Sequence, residues 1–313
     1  MKALYNKSFV FLALVGLMLS QAATAGDIFG TDLDAAKKQA AAEKKDLAIL
    51  FTGSAWCQYC IKLNDKVWSQ ADFQNDAPKD FVFVKIDFPK EVNKAPAANL
   101  KLAMEYSVAS FPTVIVADET GKTLAQTEYF HGINDKVFLG HLKVLKSDAA
   151  TAKQKFADAE TAATDADKIK LLAEGIEILT DNKASLLSVR EQVKKIVLLD
   201  KAGKAMFGAA PYKAVYFQAT SSYVSKLARA GNFAEGHKEV DALLTDIPMD
   251  AEEKQAILFA LKGGLYAAEG NVPKAIETYK EAIKLAPTSK LVPQIEEYIK
   301  ALEKTQSDII DVN

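Results

Sequence analysis

Arginine and cysteine are the scarce residues of this 313-residue chain. Only Arg190 and Arg229 carry a guanidinium, and 39 basic residues face 41 acidic ones. A nucleic-acid binder would show a basic balance and arginine forks for phosphates and base edges, so that class is set aside. Cysteine occurs twice, at Cys57 and Cys60. Without a third there is neither a disulfide framework nor a paired CxxC zinc site. The three histidines, His131, His141 and His237, show no metal-ligand spacing, and neither a metal nor a cofactor is expected. Long apolar runs are few as well. The run from Phe9 to Leu19 is about a dozen residues, short of the ~20 that a spanning helix needs. With 49% apolar and 26% charged residues, the composition excludes a collagen-like, low-complexity or wholly disordered chain.

The first apolar run has another reading. Lys2 and Lys7 precede it, and Ala23-Thr24-Ala25 follows with small residues in an A-x-A pattern. That is the layout of a secretory signal peptide over residues 1–25, cleaved after Ala25. A periplasmic or secreted protein without a stable membrane anchor is expected.

From Asp27 to about Ser147, short β-rich runs alternate with helical ones. Thr31 is placed to cap a helix through Ala35 to Lys45. Leu47–Thr52 and Phe81–Phe88 are continuous apolar runs, the signature of strands buried on both faces. A helix near Leu100–Tyr106 leads to two further strands, Val114–Ala117 and Leu124–Thr127, joined by a turn ending in Gly121. Asn134 or Asp135 can cap a closing helix to Leu145. The order calls for a mixed central sheet with helices on both faces.

After Ser147 the strand signal disappears. Residues 148–166 suit a polar helix or a linker, and amphipathic helices separated by turns follow. The expected organisation is a first domain over 26–148 and an all-α helical-repeat domain over 149–313. Phe259, Gly263, Tyr266, Gly270, Ala275, Tyr279, Ala282 and Pro287 resemble one tetratricopeptide repeat in spacing. A weaker unit surrounds Gly231-Asn232, 39 residues before the second turn rather than 34, so a uniform array is not expected.

Chemistry concentrates at Trp56-Cys57-Gln58-Tyr59-Cys60. The segment follows an expected buried strand and opens an expected helix, whose free N–H groups and dipole favour a thiolate at Cys57. Cys60, three residues on, can attack a mixed disulfide formed at Cys57. These two are the candidate catalytic residues, Cys57 attacking from the accessible helix start and Cys60 resolving. A disulfide across so short a loop would be a poor staple, which favours redox use over a structural bridge.

The run Thr52-Gly53-Ser54-Ala55-Trp56-Cys57-Gln58-Tyr59-Cys60-Ile61-Lys62-Leu63 resembles the signature of the thioredoxin superfamily, and more closely its secreted thioredoxin-like group. The likeness continues through Val84–Pro89 to Tyr106–Thr113 and covers residues 30–146. It implies the thioredoxin fold for the first domain and a cis-proline at Pro112 lying against the cysteine pair. It also implies that the backbone of Phe111 binds an extended substrate. Trp56, Phe111 and Pro112 are therefore candidate substrate-binding residues, with Trp56 shielding the disulfide. Gln58-Tyr59 departs from the dipeptides of known reductants, oxidants and isomerases. Phe51 replaces the buried acid of thioredoxin, with Asp65 and Lys85 as candidate substitutes.

Two functions follow from different classes. The first is an exported thiol–disulfide oxidoreductase acting on cysteines or disulfides of exported proteins, with a redox partner and a helical domain that binds a protein partner. The alternative is a non-enzymatic interaction or chaperone protein using the thioredoxin-like domain as a docking module. Whether reduction, oxidation or isomerisation dominates is left open by the sequence.

Overall fold

Leu47–Thr52 has no polar side to turn to solvent, and the fold covers it on both faces. The structure is a computed structural model that describes residues 28–200 and 202–310, with side chains as far as residue 304. The leader expected over residues 1–25 lies outside the described residues. Five strands, β1 (Phe29–Gly30), β2 (Asp46–Thr52), β3 (Phe81–Asp87), β4 (Thr113–Ala117) and β5 (Thr123–Glu128), form one sheet in the order β1-β3-β2-β4-β5. β3 runs parallel to β1 and β2, whereas β4 is antiparallel to β2 and β5, so the sheet is mixed.

Helices α1 (Leu33–Glu43), α2 (Gln58–Leu63), α3 (Ala71–Asp76), α4 (Ala97–Glu105) and α5 (Asp135–Thr161) cover it. Alternation along β2 divides the core. Leu47, Ile49 and Phe51 pack with Leu33, Ala36 and Ala40 of α1 and with Tyr106 beyond α4. Ala48 and Leu50 join Leu63, Trp68, Phe73, Phe138 and Leu142 on the other face. Each large apolar side chain so buried contributes ~1.5–3 kcal/mol, which is why an uninterrupted apolar run can be a strand here.

Two helix ends differ from the sequence expectation. Asp32, not Thr31, caps α1, its Oδ1 accepting from the N–H groups of Asp34 and Ala35 at 2.9 and 3.0 Å. An anionic cap also gains from the helix dipole, which a threonine would not. Asn134 caps α5 by accepting from Val137 N–H, but the helix runs on past Leu145 to Thr161. Leu142 and Leu145 lie under the sheet, and the following buried positions, Ala149, Ala152 and Ala159, carry the same helix against α6 (Asp165–Asp181). Residues 148–161 are thus helix, not linker.

Beyond α6 come α7 (Arg190–Leu199), α8 (Tyr212–Arg229), α9 (Phe233–Asp246) and α10 (Ala251–Ile257). The last continues through a π-helical segment, Leu258–Gly263, into α11 (Gly264–Ala268), followed by α12 (Val272–Leu285) and α13 (Val292–Ile310). A hairpin of two-residue strands, Met206–Phe207 with Ala210–Pro211, precedes α8 and is too short to leave an alternating pattern in the sequence. Gly270, at φ +84°, makes the turn between α11 and α12. A side chain at Gly263 would overlap the ring of Tyr279, so the missing Cβ sets how closely these helices approach. One apolar cluster extends from β2 through α5 and α6 to Leu265. The two halves also meet through a backbone hydrogen bond from Gln126 N–H to Asn182 O (2.9 Å) and ion pairs Lys183–Glu128 (3.0 Å) and Lys226–Glu105 (2.9 Å).

Candidate functional site

β2 ends at Thr52, and the next residues must turn sharply to start α2. Cys57 N–H donates to Gly53 O (2.8 Å) and Ser54 N–H to Asp87 Oδ1 of β3 (2.9 Å), while the Ser54 hydroxyl bonds the other Asp87 oxygen. The turn is thereby tied to the neighbouring strand. Trp56 folds back over Gly53, where any Cβ would meet its indole, and donates from Nε1 to Phe88 O at 2.8 Å. Its ring stands edge-on to Phe111 (6.1 Å between centroids), which stacks on Phe88 at 4.8 Å.

Cys57 is the N-cap residue of α2, with extended backbone (φ −81°, ψ 113°). Its Sγ accepts from the Cys60 N–H at 3.4 Å, and its thiol donates to Phe111 O at 3.5 Å. The Phe111–Pro112 peptide bond is cis. Trp56, Cys57, Cys60, Phe111 and Pro112 are thus gathered at the end of the sheet where β2 finishes and β4 begins. Both cysteines are free thiols. Cys57 is more enclosed than a bare helix start implies, at 8% exposure against 3% for Cys60. The order of accessibility is the expected one, and the margin is narrow.

Cys60 accepts from Gly53 N–H at 3.4 Å. Burial pushes its thiol up to about 11 and the Cys57 neighbour adds to the rise, against opposing hydrogen bonds from Thr52 and Gly53. Behind it lies a cavity of ≈ 220 Å³ lined by Thr52, Asn64, Gln74 and Lys85. Phe51 is fully buried on the opposite face of β2, against Tyr106, so no carboxylate stands at that position. Asp65 is exposed on the helix surface, whereas Lys85 borders the cavity next to Cys60. Of the two candidate substitutes for the missing acid, only Lys85 is near the sulfur.

Several contributors were not singled out from sequence. Phe88 anchors Trp56 and stacks on Phe111; its place at the end of an apolar strand marked it only as core. Tyr59, half exposed between the cysteines, packs on Tyr129 at 5.2 Å, a pairing across the fold that no local pattern carries. Trp68 is core, edge-on to Phe29, Phe73 and Phe138. Among the described residues, no group of three His, Cys, Asp or Glu side chains could hold a metal ion. No helix among them is long and apolar enough to cross a membrane.

Comparison with known proteins places the likeness in the first half. Residues 33–137 match the family described as "Thioredoxin-like domain". The disulfide bond reductase DsbH of Chlamydia pneumoniae is 33% identical over 94 residues, covering 29% of this chain and 56% of that protein. The chain therefore spans about half the length of this relative. A solved structure described as "DsbH Oxidoreductase" is 27% identical, covering 41% of this chain and 91% of its own, with a TM-score of 0.35. The protein carries a thioredoxin-like domain of mixed sheet and flanking helices, followed by a large helical C-terminal region interrupted by one short hairpin.

Proposed function

We propose that this protein is an exported thiol–disulfide oxidoreductase, with Cys57 as the attacking and Cys60 as the resolving thiol. The observation that carries the reading is the seating of Cys57 at the N-cap of α2, facing the Phe111 carbonyl, with Cys60 enclosed one turn behind. A thiolate at Cys57 attacks one sulfur of a client disulfide; the S–S bond breaks, one client sulfur leaves as thiolate and the other is held on Cys57. Cys60, once deprotonated, attacks Cys57 Sγ. This forms the Cys57–Cys60 disulfide and releases the second client thiolate. The client gains two electrons, the dithiol loses two, and a redox partner restores it. The N–H of Cys60 donates to Cys57 Sγ and, with the free N–H groups of the first turn, stabilises the thiolate that makes the first attack.

Trp56 and the Phe111–Pro112 segment are the substrate-facing residues in this scheme, an extended client lying against the Phe111 backbone. The cavity beside Cys60, lined by Thr52, Asn64, Gln74 and Lys85 as well as by Leu50 and Trp68, supplies a route for its proton. Likeness to DsbH, a disulfide bond reductase, favours the reductive direction, and residues 1–25 as a cleaved leader favour the periplasm or secretion. The helical region, with its tetratricopeptide-like pair around Gly270, is assigned to binding a protein partner. Two units, 26–148 and 149–313, divide this work, joined by α5, which runs unbroken across the boundary.

Turnover of a protein disulfide by the wild type and a Cys57→Ser variant tests the reading. Activity in the first and none in the second is expected. Equal, background-level rates would leave the docking-module function in its place. The reduction potential then sets direction, on a scale from about −270 mV for a reductant to about −120 mV for an oxidant.

A further inference from the structure

A trough runs between the thioredoxin-like domain and the helical region, away from the cysteines. One wall is built from the end of α4, Ser107 and the β4–β5 hairpin, the other from residues 185–191 and α8. It comprises two adjoining hollows of ≈ 600 and ≈ 490 Å³ that share Glu105, Ser107, Ser185, Leu187 and Lys226. Its length and open side suit a stretch of chain better than a single small anion.

The charge lining it is one-sided. Lys101, Lys122, Lys183, Arg190, Lys226 and Arg229 border the trough, against only Glu105 and Glu191. The chain as a whole carries slightly more acid than base, 41 against 39, so this concentration of cations is local. Both of its arginines are here; Arg190 is buried and already held by two glutamates, which leaves Arg229 as the guanidinium able to meet a carboxylate from outside.

Three of these cations have structural partners. Arg190 bonds Glu239 (2.8 Å) and Glu191 (2.7 Å), Lys183 bonds Glu128, and Lys226 bonds Glu105 across the trough. The other three, Lys101, Lys122 and Arg229, make no ion pair among the described residues, and all are exposed. Dehydration against the wall lowers the Lys122 ammonium from its usual range, and the nearby carboxylates of Asp118 and Glu191 oppose the fall. Serine hydroxyls, including Ser185, Ser221 and Ser225, stand between the cations and can bond a peptide backbone or a carboxylate. Leu187 and the exposed Met104 add apolar contact along the same walls.

We propose that this trough seats an extended acidic segment of a protein partner. Charge complementarity selects the occupant, since the unpaired cations are spread along the walls as carboxylates along a peptide would be. The partner-binding part of the function proposed above thereby acquires a location, and binding here needs neither cysteine.

The test is fluorescence anisotropy on the full chain, using a fluorescein-labelled ten-residue peptide of alternating Glu and Ser. A lysine-for-glutamate peptide serves as control. The wild type should bind the acidic peptide and not the basic one, with affinity falling about tenfold from low to physiological salt. Lys101→Glu combined with Arg229→Glu should weaken binding at least about tenfold, and Lys122→Glu should weaken it independently. Lys290→Glu with Lys300→Glu, exposed on α13 and the loop before it, should leave it within about twofold, separating the trough from bulk charge. Unchanged circular dichroism and melting show that each variant is folded. No binding by the wild type, or equal loss in the remote pair, would overturn the proposal. Displacement of the peptide by equimolar inorganic phosphate, or tighter binding of an oligothymidylate, would overturn it in favour of a small anion or nucleic acid. A Cys57→Ser chain should bind the peptide as the wild type does, so failure here and failure of the redox reading are told apart.

Discussion

The thiol of Cys57 stands 3.5 Å from the carbonyl oxygen of Phe111, 54 residues further along the chain. Two connections make that meeting possible. β2 delivers Cys57 to the end of the sheet, and β4, antiparallel beside it, begins there with Thr113 immediately after Phe111–Pro112. In the proposed scheme the attacking sulfur and the backbone that holds an extended client thus share one end of the sheet.

Cys60 makes the stability of the reduced protein depend on alkaline pH. Burial raises its thiol from an ordinary value near 9.0 to about 11, so the folded chain keeps the proton longer than the unfolded chain does. The contribution is fully present below about pH 9 and is lost as pH rises to about 11, because there the unfolded chain has already released the proton. The total is about 3 kcal/mol. Urea unfolding of the reduced protein between about pH 8.5 and 11 should show this fall, and Cys60→Ala should make it shallower by that share. What is left is the part that the buried tyrosines Tyr106, Tyr212, Tyr216 and Tyr279, their phenols also raised by burial, add at the upper end. Parallel curves for the two would contradict the assignment.

Most of the site was legible because the sequence motif carries local geometry. Cys57 and Cys60 are one helical turn apart, and a strand followed directly by a helix places the pair at a helix start. The approach of Phe111 and Pro112 came from resemblance, since no local pattern links residues 54 apart. Phe88 and Tyr129 were missed for the same reason: each acts through a ring whose partner lies on another element. The long α5 was half legible. Its first turns announce themselves by Leu142 and Leu145, whereas residues 148–161 are Ala-rich and polar, and contact with α6 decides that they are helical. β1 is a strand only because β3 pairs with it, and two residues leave no period to read.

Gly263 and Gly264 are neighbours in one helix and should respond oppositely to alanine. At Gly263 a Cβ overlaps the buried Tyr279 ring, so Gly263→Ala should cost about 1–3 kcal/mol. At Gly264 nothing lies in the way, and Gly264→Ala should gain up to about 1 kcal/mol from helix propensity. Denaturant melts of the two variants check both signs. Tyr279→Leu should also recover part of the Gly263→Ala loss.

A fragment of residues 26–148 should retain thiol chemistry but melt below the intact chain. It keeps the sheet and the cysteines, yet ends within α5 and loses α6, which shares an apolar cluster with Leu142, Leu145 and the sheet. Scanning calorimetry of fragment and full chain, both reduced, measures the difference. Equal melting temperatures would mean that the helical region adds nothing to the first domain's stability.

The attack-and-resolve assignment is tested most directly by trapping. Cys60→Ser removes the thiol that would release a client from Cys57, so this variant should accumulate mixed disulfides with exported proteins. They should be visible as higher-mass bands on a non-reducing gel and disappear when reductant is added. Cys57→Ser should form none. Adducts on the Cys57→Ser variant with none on Cys60→Ser would reverse the roles, and absence from both would contradict the account.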